Sequence, residues 1–187
     1  ETFRTINRQV WREVEKGQLK LHRVSYERAR RTLRHFGFRS KNAEALGELF
    51  ALGLSQVSQW LPSAEIAFKS IASRYDVGLI TNGLTKVQHP RIDRIGIRNA
   101  LKTIQVSEEV GTMKPKPGIF ELALQQAEHS KKTTLMVGDS VTSDLQGAAN
   151  AGIDFCWIKP DPRPLPLGVL TPRFRFGSIL ELDAIIP

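Results

Sequence analysis

The sequence predicts an α/β protein, a Rossmann-like parallel sheet with helices on both faces (three layers, α/β/α), together with a small all-helical unit. Two observations predict this fold. From residue 61 onward, short segments that are apolar throughout alternate with helical segments, as expected for strands buried on both faces of a parallel sheet. Residues 1–60 show apolar residues at helical spacing only, so we expect them to form a separate helical unit.

The helical unit is predicted from three runs of apolar residues that recur every three or four positions. These runs are Phe3, Ile6, Val10 and Val14, then Ala29, Leu33 and Phe36, and finally Leu46, Phe50, Leu54, Val57 and Leu61. Three aromatic residues of this segment, Trp11, Tyr26 and Phe36, are interpreted as part of its hydrophobic core, with stacking on a bound base as the alternative.

The segments that follow alternate between helix and strand. In order they are a helix over 62–74, a strand over 75–80, a helical stretch, a strand over 102–107, a loop over 108–117, a helix over 118–129, a strand over 133–137, a helix of small residues, a strand over 154–158, a proline-rich surface loop over 160–168, and a last short strand and helix. Strands separated by helices are typical of parallel pairing.

Charge and composition narrow the classes of function. The formal net charge is +8. Residues 1–60 hold 12 lysines and arginines against six aspartates and glutamates, whereas residues 61–187 hold 15 against 13. A basic surface attracts nucleic acid or a small phosphorylated substrate, but no zinc-ligand spacing, basic heptad region or RNA-binding aromatic pattern occurs, so nucleic acid is not expected as a partner.

We expect a soluble, cytoplasmic protein. No stretch approaches the roughly 20 apolar residues that span a bilayer, and no secretory leader is apparent, so no membrane partner is expected. The single cysteine, Cys156, lies in an apolar run and is interpreted as a small buried hydrophobic residue rather than a reactive thiol. Composition leaves the oligomeric state open.

In an open parallel sheet, ligands bind beyond the carboxyl ends of the strands. The first polar group at such an end is Thr81, Asn82 and Gly83. A hydroxyl and the backbone N–H groups of a tight turn can hold a phosphate oxygen. The alternative is an ordinary strand-ending turn, for which Asn-Gly is a common choice.

Lys114 is the second candidate. It lies in the segment GTMKPKP, where the nearby prolines restrict the loop and would direct the ammonium group to a fixed point. An ammonium group there could neutralise a phosphoryl group during transfer. The alternative is a solvated loop lysine.

Asp139 and Asp144 are the third candidate. Asp139 follows a strand that we expect to be buried, where an isolated carboxylate is costly unless a cation compensates it. Two carboxylates on a tight loop suit Mg²⁺, which binds one or two of them together with water and substrate phosphate. In the alternative interpretation, Asp144 caps the following helix and Asp139 only shapes the turn.

Three segments carry a family resemblance over almost the whole chain, from residue 1 to about 185. LITNG, GTMKPKPGIF and MVGDSVTSDLQGAANAG, in this order, resemble the second, third and fourth motifs of the haloacid dehalogenase superfamily of phosphohydrolases. The phrases VSEEVG, KPKPGIF and VGDSVTSD are most similar to its branch of bacterial pyrimidine 5′-nucleotidases. The resemblance implies a helical cap over residues 1–60 and a sheet core over 61–187 that lacks its first strand.

The resemblance also implies roles for the residues. Thr81 would bind a phosphoryl oxygen with help from the backbone of Asn82 and Gly83, and Lys114 would bridge the nucleophile and the phosphate. Asp139 would be a direct Mg²⁺ ligand, and Asp144 would support the metal or orient Lys114. The implied activity is release of phosphate from a small metabolite, a nucleoside monophosphate.

One departure from the family pattern is serious. Members carry an Asp-x-Asp pair that supplies the nucleophile and the general acid, and no Asp-x-Asp occurs in these 187 residues. We expect that an N-terminal segment carrying this pair is missing and that the chain alone is inactive. The alternatives are a non-catalytic scaffold with the same fold and a 2-haloacid dehalogenase, which needs no metal.

Overall fold

A computed structural model describes residues 2–159 and 170–186. The chain divides into two compact units: Glu1–Ser58 with Gly83–Gly96, here called the helical unit, and Gln59–Asn82 with Ile97–Pro187, here called the sheet unit. The predicted proline-rich loop over 160–168 lies outside the described residues.

The elements follow the predicted alternation of helices and strands. The helices are α1 (Thr2–Glu15), α2 (Val24–His35), α3 (Ala43–Ser55), α4 (Ala64–Ala72), α5 (Thr85–Ile95), α6 (Ser107–Val110), α7 (Gly118–Ala127), α8 (Gln146–Ala151) and α9 (Ile179–Asp183). The strands are β1 (Val77–Thr81), β2 (Leu101–Val106), β3 (Leu135–Gly138), β4 (Asp154–Ile158) and β5 (Phe174–Phe176). Among the described residues, no helix has the length and apolar character needed to cross a membrane.

The helical unit is built on the apolar spacing seen in the sequence. Ile6, Val10 and Val14 are buried along one face of α1. Helix α3 comes very close to α2 at Gly47, where a Cβ atom would lie 2.7 Å from the carbonyl oxygen of Ser25. Glycine therefore permits this helix contact, because a side chain would require the two backbones to move apart.

Helix α5 belongs to the helical unit, although the predicted boundary at residue 60 placed it with the sheet. Its residue Val87 and the preceding Leu84 are buried in one cluster with Ala51 of α3. The sequence pattern shows that such a helix has an apolar face but does not show which partner covers it. The contacts place residues 83–96 with the helical unit.

The aromatic residues of the helical unit are not all part of its core. Trp11 and Tyr26 are half-buried, but the side chain of Phe36 is 61% exposed. The prediction that Phe36 belongs to the core is wrong. Helix α2 ends at the residue before Phe36, so the helical spacing no longer sets the direction of its side chain.

All strand pairs of the sheet unit are parallel. Strand β1 pairs with β2, and β3, β4 and β5 form a second sheet in that order. No described strand pairs with the other edge of β1 or of β3. The residues of β3 are half-buried, so the prediction of strands buried on both faces is wrong for β3. It is correct for the middle of β4, where Phe155, Cys156 and Trp157 are buried.

A hydrophobic core joins α7, α8 and β4. Ile119 and Phe120 of α7 are buried with Leu145 and Trp157. Gly147 lets α8 approach this helix, because a Cβ atom there would lie 2.6 Å from the ring of Phe120. In the same unit, burial raises the pKa of the Cys156 thiol to about 11, and the prediction of a buried cysteine is confirmed.

Candidate active site

The candidate site lies at the carboxyl ends of β1 and β3. Thr81 is the last residue of β1, and Gly138 is the last residue of β3. The loop between α6 and α7 brings Lys114 to the same place, because its side chain contacts Ile80 of β1 and Asp144 in the turn that follows β3. Polar groups from three separate segments therefore meet at the edge where ligands of parallel sheets bind.

Lys114 connects the end of β1 to Asp144, which lies in the turn after β3. Its Nζ donates a hydrogen bond to the carbonyl oxygen of Ile80 at 3.0 Å and lies 2.7 Å from Oδ1 of Asp144. The approach to Oδ1 has an ion-pair distance but not hydrogen-bond geometry, and the charge attraction does not depend on that angle. Because the two side chains are only 11% and 7% exposed, each charge depends on the other for compensation.

Asn82 fixes the backbone of Lys114. Its Nδ2 donates to the carbonyl oxygen of Lys114 at 2.8 Å, and its Oδ1 accepts from the amide N–H of Lys114 at 2.9 Å. The side chain of Asn82 thus positions Lys114, and the backbone N–H of Asn82 is the group that could meet a ligand. Asn82 therefore does more than end the strand, because its side chain also binds the backbone of Lys114.

Asp144 lies within a π-helical turn, Val141–Leu145, and is buried. Its Oδ2 accepts a hydrogen bond from the backbone N–H of Ser140 at 3.1 Å, and its Oδ1 faces Lys114. The alternative in which Asp144 caps the following helix is wrong, because the N-cap of α8 is Leu145 and no side chain caps it. The π-helical turn is capped by Ser140, whose side chain accepts from the N–H of Ser143. The geometry favours the role in which Asp144 orients Lys114.

Gly138 makes room for the carboxylate of Asp144. A Cβ atom at residue 138 would lie 2.4 Å from Oδ2 and 2.7 Å from Cγ of Asp144, far inside van der Waals contact. The absence of a side chain at this strand end is therefore what allows Asp144 to lie against the strand.

Asp139 is exposed. The argument that it is a costly buried carboxylate is wrong, because β3 ends one residue earlier and no described strand pairs with its other edge. Within residues 2–159 and 170–186, no group pairs with its carboxylate, whereas its carbonyl oxygen accepts a hydrogen bond from Nε1 of Trp157 at 3.0 Å. Its carboxylate is available to a cation.

Thr81 and Gly83 flank the positioned Asn82. Thr81 is half-buried and pairs with Val106 of β2 through its backbone, and its hydroxyl makes no hydrogen bond within the described residues. Gly83 follows Asn82 directly in the chain and is the first residue of the second segment of the helical unit. Direct contacts thus connect Asn82, Lys114 and Asp144, while Thr81 and Asp139 are their neighbours in sequence.

The two aspartates fit a magnesium ion by the chemistry of their donors. The described residues contain no group of three or more His, Cys, Asp or Glu side chains, as zinc would require. Mg²⁺ needs only one or two carboxylates, since water and substrate phosphate complete its shell. Asp139 offers a carboxylate that no described residue pairs with, whereas the carboxylate of Asp144 is engaged by Lys114 and by the N–H of Ser140.

Three residues of this site were missed in the sequence. Ser140 supplies the N–H that Asp144 accepts, Gly138 supplies the space, and Trp157 holds the carbonyl of Asp139. The sequence did point to Gly138 and Ser140, because they directly flank Asp139, which was already a candidate site residue. Trp157 gave none, since its indole lies in a run that is otherwise apolar.

A family model described as haloacid dehalogenase-like hydrolase matches residues 28–158, a range that includes all three segments of the site. The chain belongs to this family. Among its relatives, the pyrimidine 5′-nucleotidase YjjG of Escherichia coli is 29% identical over 187 residues, which is the whole of this chain and 81% of that protein. The pyrimidine 5′-nucleotidase PynA of Streptococcus pneumoniae is 34% identical over 157 residues, or 83% of this chain and 66% of that protein.

Solved structures confirm the parallel α/β fold. The HAD-hydrolase YfnB from Bacillus subtilis, crystallised with magnesium, has a TM-score of 0.88 and 28% identity, with 98% of this chain and 80% of that chain covered. A dehalogenase solved as an intermediate complex has a TM-score of 0.80 at 17% identity, covering 98% of this chain and 81% of that one. The second likeness shows the fold alone.

Proposed function

We propose that this chain supplies the phosphate- and metal-binding part of a Mg²⁺-dependent phosphohydrolase. Its substrate is a small phosphorylated metabolite, a nucleoside monophosphate. The observation that carries the proposal is the fixed ammonium group of Lys114, held between Asp144 and the end of β1. The names of two relatives as pyrimidine 5′-nucleotidases support the substrate class.

Lys114 stabilises the negative charge of the phosphoryl group in this proposal. Its ammonium group is already held by Asp144 and by the carbonyl of Ile80, so it needs little reorganisation when charge develops on the phosphoryl oxygens. The hydroxyl of Thr81 and the backbone N–H groups of Asn82 and Gly83 donate hydrogen bonds to the same oxygens.

Asp139 is the direct ligand of Mg²⁺ in the proposal, and Asp144 has a supporting role. When bound, the ion neutralises charge on the phosphate and polarises a phosphoryl oxygen. The exposed position of Asp139 and the absence of a partner for its carboxylate among the described residues support this assignment. The carboxylate of Asp144 is engaged by Lys114 and Ser140, which suits a supporting role.

The nucleophile is assigned to an aspartate outside these 187 residues, on a strand that pairs with β1 and β3. Its carboxylate attacks phosphorus, the bond from phosphorus to the leaving oxygen breaks, and a second aspartate protonates that oxygen. Water then hydrolyses the aspartyl phosphate, which restores the carboxylate and releases phosphate. The edges of β1 and β3 that no described strand covers support this placement, as does Lys114, which joins the end of β1 to Asp144 in the turn after β3.

The helical unit is assigned as a cap domain, the kind of unit that excludes water from the reacting groups in enzymes that have one. The surplus of lysine and arginine in residues 1–60 supports this role, because a positive surface attracts an anionic substrate.

The test is release of phosphate by the complete protein that contains this chain. A panel of nucleoside monophosphates and sugar phosphates is assayed with Mg²⁺, and the same assay is run after EDTA. We expect turnover of a nucleoside monophosphate that EDTA abolishes, and no turnover by residues 1–187 alone. Release of halide from a 2-haloacid without metal would instead identify a dehalogenase.

A second candidate is a non-catalytic binding or scaffold protein with the same fold. The absence of Asp-x-Asp from the sequence favours it. The start of the native reading frame separates the two candidates. An upstream apolar strand that ends in Asp-x-Asp supports the enzyme, and a native start near Glu1 supports the scaffold.

A further inference from the structure

One peptide group of the candidate metal loop is held from both sides. The carbonyl oxygen of Asp139 accepts from Nε1 of Trp157 at 3.0 Å, and the N–H of Ser140 donates to Oδ2 of Asp144 at 3.1 Å. The carbonyl of residue 139 and the N–H of residue 140 belong to the same planar unit. Its plane is therefore fixed by two side chains that come from different parts of the chain.

Trp157 is held firmly in the position from which it donates. It is only 4% exposed, its backbone is in register with Gly138 at the end of β3, and the guanidinium of Arg175 lies 4.8 Å from its ring centroid. An indole has one hydrogen-bond donor and no acceptor. The only polar atom of the Trp157 side chain is thus used in the hydrogen bond to the carbonyl oxygen of Asp139.

We propose that Trp157 is a positioning residue for Asp139. It touches neither metal nor substrate; by fixing the 139–140 peptide it sets the direction in which the Asp139 side chain leaves the backbone. The inference rests on the proposed function in one respect, that Asp139 is the Mg²⁺ ligand. Groups that orient a metal ligand typically change metal affinity by about 10- to 100-fold when removed.

The test measures Mg²⁺ affinity of the complete protein by isothermal titration calorimetry, with no substrate present. Trp157→Phe removes the donor and keeps most of the ring, and we expect its dissociation constant for Mg²⁺ to rise about tenfold or more. Trp60→Phe is the matched control. Trp60 lies in the same unit against Phe68, at 5.5 Å between ring centroids, and its loss is expected to leave Mg²⁺ affinity unchanged.

A second replacement keeps the test decisive if Trp157→Phe unfolds. Substitution of 3-benzothienylalanine at position 157 retains the bicyclic shape and exchanges only the N–H for sulfur. A weakened Mg²⁺ affinity with an unchanged melting temperature supports the positioning role, because a merely structural role would leave the affinity unchanged in a folded protein.

Two negative results have different meanings. If Asp139→Asn abolishes Mg²⁺ binding while the benzothienyl protein binds as the native protein does, the role of Trp157 is refuted and the proposed metal site stands. If the native protein itself binds no Mg²⁺, the proposed function fails, and the inference fails with it.

Discussion

Lys114 and Asp144 form an ion pair of 2.7 Å whose side chains are 11% and 7% exposed. Burial of two charges costs more desolvation energy than most ion pairs return. A lysine at the surface stays hydrated and avoids this cost, so stability alone does not explain why Lys114 is buried. The pair is better explained by function, since it holds a cation at the edge of the sheet where an anionic ligand would bind.

Removal of one partner tests how strongly the pair is coupled. Asp144→Asn leaves the ammonium of Lys114 buried without a counter-charge, and we expect the free energy of unfolding to fall by about 3 kcal/mol in urea denaturation. Lys69→Met is the control, because it breaks an exposed pair, Lys69 with Glu65, whose side chains are 72% and 47% exposed. In this control the free energy of unfolding should fall by less than about 1 kcal/mol. Equal losses for Asp144→Asn and Lys69→Met would contradict the claim that the buried pair is the more strongly coupled one.

Gly138→Ala tests the space at the end of β3. The added methyl group would meet Oδ2 of Asp144 at 2.4 Å, so we expect a loss of about 1 to 3 kcal/mol, as for other overpacked sites. Gly53→Ala in α3 is the matched control, since a Cβ atom there meets nothing within 4 Å. In a helix this change should stabilise by about 0.5 to 1 kcal/mol. Thermal unfolding should therefore shift in opposite directions; a higher melting temperature for Gly138→Ala would show that the loop has room.

The order of elements was predictable because each depends on a local pattern. Apolar runs such as 154–158 form strands, and the segment that begins at Gly118 forms a helix. The partner of each element was less predictable. Leu84 and Val87 show a helical apolar face in the sequence, but only the folded contacts show that this face packs on α3.

The same distinction applies to the candidate site. Asn82, Lys114 and Asp144 were predicted to come together because the carboxyl ends of parallel strands meet at one edge, and their contacts agree with this. The exposure of Asp139 was not predicted, because it depends on which strand edges are paired. The contact of Trp157 depends on the register between β3 and β4, which no local pattern in a single sequence contains.

An acid-dependent contact joins the start of β1 to the segment after α7. Nε2 of His129 lies 3.0 Å from Oδ2 of Asp76, and Nζ of Lys102 lies 4.0 Å from the same oxygen. The hydrogen bond with His129, with a smaller contribution from the charge of Lys102, lowers the pKa of Asp76 below its ordinary value of 3.8. A carboxyl whose pKa is lower in the folded state stabilises the fold above its unfolded pKa, and this contribution is lost as pH falls through the folded pKa.

We therefore expect Asp76→Asn to lower the melting temperature at about pH 5 and to have a much smaller effect at a pH below the lowered pKa of the folded state, which is under 3.8. The measurement is a series of thermal unfolding curves for the native protein and the variant. The control is the same change in a His129→Gln background, where the difference between the two pH values should shrink. If Asp76→Asn lowered the melting temperature more at lower pH, the predicted direction of this pH dependence would be wrong.

Asp139→Asn separates catalysis in the complete protein from stability of residues 1–187. Because the carboxylate of Asp139 is exposed in this chain and has no partner within the described residues, its loss should change the free energy of unfolding of residues 1–187 by no more than about 0.5 kcal/mol. Phosphate release should nevertheless fall by at least roughly a hundredfold, because the charge that binds Mg²⁺ is gone. Asp154→Asn is the control, since Asp154 is a surface carboxylate paired with Arg173, and its turnover should match the native protein. Magnesium-stimulated turnover near the native rate in Asp139→Asn would refute the assignment of the metal ligand.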